Sequence, residues 1–443
     1  MSQATLRLRT KLLFSSSSLG SQALIESRGI WLLYFYAPPA HGKTAPLLGI
    51  AVAGAVLTAV PIVAAFADPV IGYWSDRTSS RLGRRLPFIV GATPLWALLA
   101  FLLFTPPTSA GTTVIAAYLG GTLALYSLAS ITSGGPYESL LPEIAKTSAD
   151  RVSVNGLKVY FGAAGGAVGL VGSGLIVDYL GFRAMALTMA ILALIFRYVG
   201  AAGVWRHVDR AQPPARISMR DAGRETLRNR SFLLYLPGFV LFQVALTMST
   251  AALPYYVKAL LHVHKTGTWV AALTAVLIGV LVLSIPTQAR IARRKSKRLA
   301  FRRSMLGAML VFPLLAFVGL IPHVPAAAEI VAIMALAGLP VAGIYLFPAT
   351  LTADIIDYDY LRTGMRREAT YYQLHSFVEQ ITTSLAPAFL AGLLILGDTA
   401  SNPLGVRLVG PAAGLLVLIG YLVFRRYDLS DDVLAAPPAD IRS

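Results

Sequence analysis

Ionisable side chains set inside apolar stretches are the residues that could do chemistry in this chain. Asp68, Glu138 and Lys158 stand in runs otherwise rich in Ala, Gly, Val, Leu and Ile, and so do Glu26, Arg28, Arg197, Lys258, His375 and Glu379. Within hydrocarbon such groups are costly and mark ion, proton or substrate paths. A lysine between carboxylates can stay charged while one acid gains and loses a proton, and the pair energy changes with that proton. His375 and Glu379 are four residues apart, so on a helix they share a face. The histidine suits a proton switch or a hydrogen-bonded packing role equally well. Glu26 and Arg28 are two apart and cannot face each other, so each needs a partner on another helix. Such a partner is either structural or a substrate. Arg197 and Lys258 lie near the ends of apolar runs and are expected to reach out to the interface.

These groups sit in a chain of 443 residues that is 56% hydrophobic and only 13% charged. Soluble domains carry about 25% charged residues, so a soluble multidomain enzyme is excluded. Twelve apolar runs are long enough to cross a bilayer: 17–38, 46–74, 86–105, 112–142, 153–179, 184–205, 232–261, 267–288, 304–322, 327–352, 369–396 and 404–424. The expected fold class is an all-α membrane protein. Residues 1–205 form one six-helix bundle, 206–231 a linker, 232–424 a second bundle and 425–443 a tail. The first run continues to full span length, so it reads as an uncleaved first helix. The net charge of +17 is explained by position: 30 of the 38 Lys and Arg residues fall in segments that share one face if both termini are cytoplasmic. Nucleic acid is therefore not an expected partner. The basic run Arg290 to Arg303 is expected to hold orientation and to touch anionic lipid. Absent cysteines exclude disulfides, thiolate catalysis and Cys-ligated metal. Gly162, Gly165, Gly166 and Gly169 form small-residue pairs that point to close helix packing and not to a nucleotide loop.

The stretch 68–85 is the most specific: Asp68-Pro69, Gly72, Asp76-Arg77, Arg81, Gly83 and Arg84-Arg85. Asp76 can pair with Arg77, Arg81, Arg84 or Arg85, and such a cluster can latch helix ends in one state of a rocking cycle. The other reading is a solvated anchoring loop. This stretch resembles the loop-2/3 motif of the glycoside–pentoside–hexuronide:cation symporters, the melibiose-permease group of the major facilitator superfamily. Pro136-Tyr137-Glu138 to Glu143-Ile144 with Asp150-Arg151, and Ala353-Asp354 to Tyr358 with Arg362-Thr363-Gly364 and Arg366-Arg367-Glu368, resemble two further motifs of that group, in the expected order.

The resemblance implies a substrate site between two bundles, coupled to Na⁺, Li⁺ or H⁺, and no enzyme activity. It retains the helix-II acid as Asp68 but puts Ala64, Ala67 and Ile131 at positions that help hold sodium. One carboxylate among alanines is a poor sodium cage, so H⁺ is favoured and Na⁺ remains the alternative. In the resembled fold helices II, IV and V are neighbours, which makes Asp68, Glu138 and Lys158 the expected coupling residues. The expected substrate contacts are Gln22, Glu26, Arg28, Tyr137, Tyr160, Tyr256, Tyr372, His375, Glu379 and Gln380. Tyrosine offers a sugar both an apolar face and a hydroxyl, although most membrane tyrosines pack helices. The resulting expectation is a monomeric secondary transporter of a bacterial inner membrane, working by alternating access. It carries a sugar or glycoside as its small-molecule substrate and needs no cofactor or metal. The alternative, motivated by the lost sugar-binding positions, is a carrier of lysolipids or related amphiphiles.

Overall fold

The computed structural model describes residues 6–39, 45–78, 80, 82–145, 147–205, 226, 228–261, 263–364 and 368–429. Arg81, the side chain of Asp76 and most of the expected linker and tail lie outside this set. Every regular element among the described residues is helical. The chain divides into two compact units, Met1–Ala215 with Val263–Ala272, and Arg216–His262 with Leu273–Ser443.

The first unit contains α1 (Leu8–Tyr36), α2 (Ile50–Ala65), α3 (Asp68–Arg77), α4 (Leu86–Leu102), α5 (Thr112–Glu138), α6 (Leu141–Ile144), α7 (Ser148–Ala167) and α8 (Ser173–Val204). A π-turn, Val168–Gly172, joins the last two. Beyond it come α9 (Arg230–Tyr256), a second π-turn (Val257–Leu261), α10 (Thr266–Arg294), α11 (Lys297–Val311), a 3₁₀ segment (Phe312–Phe317), α12 (Ala326–Thr363), α13 (Glu368–Thr383), α14 (Ala386–Leu394) and α15 (Leu404–Phe424).

Among the described residues nine helical stretches are long and apolar enough to cross a membrane. The longest, Ala149–Val204, breaks at Gly181, whose φ of 83° and ψ of 173° leave the helix, so it makes two passes. Only glycine takes that backbone conformation without strain. The shorter apolar α4 and the serine-rich α1 complete the twelve expected passes. Hydropathy misplaces several ends, because it marks where the membrane is and not where the helix stops. α1 starts nine residues before the apolar run, with Thr10, Phe14, Ser15 and Ser16 already buried. α12 carries the 353–363 motif as helix, where a loop was expected, and ends only at Gly364 in the left-handed conformation.

Two membrane passes are interrupted where chemistry is expected. Phe66 and Ala67 form a turn between α2 and α3, and Asp68 opens α3 with Pro69 behind it. Proline has no N–H to give to the carbonyl four residues back, so the break is local to this sequence. Ser384 and Leu385 separate α13 from α14 in the same way ahead of Pro387. Within the first unit α1 packs closely on both α7 and α8. A side chain at Gly165 would collide with the Leu19 carbonyl, and one at Gly20 would lie 2.7 Å from the Leu192 carbonyl. Trp31 Nε1 donates to Ser173 Oγ at 2.8 Å across the same contact. In the second unit α9 and α15 touch backbone to backbone at Gly238 and Gly420, over a layer of Phe242, Phe301, Phe347 and Phe424 rings.

Candidate functional site

The break before Asp68 aims its carboxylate at α5. Gly135 of α5 lies close to it: a side chain there would stand 3.3 Å from Asp68 Oδ1. One turn further, Glu138 ends α5 and forms an ion pair with Lys158 Nζ of α7. The glutamate side chain is 55% exposed and the lysine 17%, so the pair borders open space while the lysine stem packs between helices. Asp68, Glu138 and Lys158 therefore gather on α3, α5 and α7 of one unit.

α1 adds a second group. Gln22 Nε2 donates to Glu26 Oε1 at 2.9 Å, so the partner of Glu26 lies on its own helix and not on another as expected. The carboxylate stem lies against Gly169 of the π-turn. Arg28 does reach across: its guanidinium lies 5.2 Å from the centre of the Tyr126 ring on α5. Its Nε is buried without an acceptor.

Two expected aromatic contacts belong to the packing instead. Tyr137 is buried, stacks on Phe14 at 4.7 Å and donates its hydroxyl to the Phe14 carbonyl at 2.7 Å. Tyr256 is buried in the second unit and its hydroxyl accepts the Gly410 N–H at 3.2 Å. Tyr160 is 77% exposed. It stands two residues after Lys158, about 200° around the helix, so it does not share the lysine's face. Arg197 is corrected as well. It does not reach outward but is buried among α1, α4 and α5, bonded to Ser21 Oγ at 3.0 Å and covered by the Trp96 and Tyr137 rings. Position near a span end hid this, since linear order does not give depth in a bundle.

The basic cluster of 77–85 also finds a partner that sequence reasoning left out. Arg84 Nη2 and Arg85 Nη1 both bind Glu143 Oε1, at 2.7 and 2.8 Å, and Glu143 is 3% exposed. Arg85 donates to the Ser139 carbonyl too. Arg77 instead lies over the Tyr73 ring at 4.0 Å. Asp150, beside it in the sequence motif, caps α7 with Thr147 and holds Lys11 Nζ at 2.8 Å and the Leu6 N–H at 3.2 Å. The signal was present in the acids of Pro142-Glu143 and Asp150-Arg151, but their targets are remote in sequence.

In the second unit His375 and Glu379 share a face of α13, with Nε2 and Oε2 3.9 Å apart. The imidazole packs on Phe239 at 4.5 Å and Tyr235 at 5.9 Å. Its Nδ1 is buried without a partner. Tyr372 is exposed and Gln380 half-buried on the same helix, and the Gln380 carbonyl accepts from Ser384 Oγ at the break. Neighbouring Tyr371 is buried and its hydroxyl accepts from Asn229 Nδ2 at 2.8 Å.

Broken helices carrying single carboxylates, in a chain of twelve passes, are the architecture of a secondary transporter. Residues 13–407 match the family model described as MFS/sugar transport protein. This chain belongs to that family. The isoprimeverose transporter of Lactiplantibacillus pentosus is 24% identical over 386 residues, covering 84% of this chain and 77% of that protein. The glucuronide carrier protein homolog of Escherichia coli (strain K12) is 25% identical over 456 residues, covering 96% and 93%. In structure the chain is similar to the nucleoside transporter NupG, with a TM-score of 0.66, 14% identity and coverage of 95% and 99%. As a member of the MFS/sugar transport family it is an integral membrane transporter and not an enzyme.

Proposed function

We propose that this protein is a proton-coupled symporter of a sugar or glycoside, working by alternating access. The observation that carries the reading is the placing of Asp68 at a helix break beside the Glu138–Lys158 pair. A proton moving on and off Asp68 changes its repulsion with Glu138, and Lys158 keeps that glutamate compensated. Protons are favoured over sodium because hard oxygens around Asp68 are few: Gly135 offers no side chain, and Ala64 and Ala67 bring none from the turns before it. Gln22, Glu26 and Arg28 on α1, and Tyr372, His375, Glu379 and Gln380 on α13, are the proposed substrate contacts. Arg84, Arg85 and Glu143 form the proposed latch in one state. The names of the isoprimeverose and glucuronide proteins support a sugar over an amphiphile as the solute. The proposed setting is a bacterial inner membrane, with both termini cytoplasmic and a monomer sufficient.

The test is uptake into proteoliposomes with an imposed pH gradient. Wild type accumulates the sugar uphill, a protonophore abolishes this, and replacing Na⁺ by choline changes nothing. Asp68→Asn keeps exchange of internal for external sugar but loses uphill accumulation. Normal accumulation by that variant would remove Asp68 from the coupling role.

A further inference from the structure

The basic run Arg290 to Arg303 carries eight Lys and Arg residues and no acid. Its members differ in setting. Arg290, Arg293 and Arg294 of α10, Lys295 just after it and Arg303 of α11 are exposed. Lys297 is taken, with Nζ 2.7 and 2.8 Å from the two carboxylate oxygens of Asp354. Arg298 and Arg302 are half-buried and one turn apart, so they share a face of α11. Among the described residues neither has an ion pair within 4.0 Å. Arg298 Nε is buried without an acceptor. Arg302 Nη2 donates to the Tyr421 hydroxyl at 3.3 Å, with the guanidinium carbon 5.8 Å from the centre of that ring.

Tyr421 belongs to α15, and the two helices run antiparallel along this seam. Phe301 meets Phe424 at 5.0 Å, Arg302 meets Tyr421, and Gly414 lies against Met309 and Pro313. The turn before Arg302 therefore faces the turn after Tyr421. That brings Arg425, four residues after Tyr421 and exposed, to the level of Arg298. Among the described residues Arg425 has no ion pair within 4.0 Å, with Asp428 or any other acid. The acids of neighbouring α12 lie elsewhere: Asp354 holds Lys297, Asp359 stands 3.7 Å from Arg362, and Asp357 is exposed. Further into the same two passes the surface turns apolar, with Leu310, Leu415 and Leu422 all exposed.

We propose that the seam between α11 and α15 binds an anionic phospholipid with two phosphates. The phosphates rest on Arg298, Arg302 and Arg425, and the acyl chains run over Leu310, Leu415 and Leu422. A guanidinium presents parallel N–H donors that match two phosphate oxygens. Arg298 Nε gains the acceptor it lacks. The Tyr421 hydroxyl accepts from Arg302 and keeps its own hydrogen to give to phosphate. One phosphate is held from α11 and the other from α15, so a single lipid bridges the two helices. A lipid with one phosphate can serve one side only. Basic pockets between membrane helices take headgroups of this kind. The exposed arginines of α10 have no such seam beside them, and the site is independent of what the protein carries.

The experiment is native mass spectrometry of the purified full chain in detergent, titrated with cardiolipin, with phosphatidylglycerol and with sodium pyrophosphate. One cardiolipin is expected to stay bound per chain, about tenfold tighter than phosphatidylglycerol. Arg425→Gln weakens cardiolipin about fivefold and removes most of that preference. Arg298→Gln combined with Arg302→Gln abolishes the retained lipid. Arg293→Gln combined with Arg294→Gln removes as much charge and leaves cardiolipin binding unchanged. An equal loss in that control overturns the proposal, because charge alone would then explain the binding. Equal affinity for the two lipids overturns the bridge between helices. Pyrophosphate binding as tightly as cardiolipin overturns the lipid in favour of a free anion. Should the Arg298 and Arg302 double variant fail to fold, Arg425→Gln against the α10 control decides by itself.

Discussion

Glu143 takes two guanidinium groups on one oxygen while almost wholly removed from solvent. Breaking such a pair leaves charges uncompensated, which costs more than the pair itself contributes. Glu143→Gln should lower stability in detergent by about 2 kcal/mol, seen as a reduced apparent melting temperature, with the fold retained. Glu138→Gln makes the contrast, because its carboxylate is more than half exposed and surface-like pairs contribute little. At this scale sequence reading went wrong where the direction of a side chain mattered. Tyr137 and Tyr160 have the same chemistry, yet one is buried against Phe14 and the other faces outward. A helical pitch fixes their angle relative to each other but not which neighbour fills each side. Arg197 was misjudged for the same reason.

The elements that matter most are the broken ones. Asp68 owes its position to the turn at Phe66 and Ala67, and that turn owes its existence to Pro69. Pro69→Ala restores a backbone donor for the Ala65 carbonyl and allows the pass to continue straight. The expected outcome is a protein of equal or higher melting temperature with uphill uptake reduced at least about tenfold, because the carboxylate no longer points at Gly135. Unchanged uptake would show that the break is incidental. Twelve passes could be read from apolar runs, and their order survived intact. Their ends could not be read, since α1 and α12 extend into polar sequence that is buried by neighbours. Thr10, Ser15 and Ser16 look like loop residues until α7 and α8 cover them.

On the scale of the molecule, the chain separates into two units, and the proposed coupling residues all belong to the first. His375 and Glu379 belong to the second, where an imidazole packed against Phe239 stands 3.9 Å from a carboxylate oxygen. The family resemblance supplied the neighbourhood of helices II, IV and V, which composition alone could not give. It did not supply Glu143 or Asp150 as anchors, because a motif conveys residue types and not their remote targets.

The first turn of α10 is held by a side chain of α8: Asp178 accepts the N–H groups of Gly267 at 2.9 Å and Thr268 at 2.5 Å. No carbonyl of α10 itself can take these donors, and Asp178 accepts both while the Gly174 backbone packs on the same turn. Two amide protons thereby become a clock. In deuterated buffer they should exchange slowly while the contact is closed, and at the rate of its opening when it lets go. If transport requires that contact to part, adding a carried solute should change the exchange of Gly267 and Thr268 while leaving mid-helix amides such as those of Leu273 untouched. Equal exchange with and without solute would mean that this end of α10 stays closed throughout the cycle.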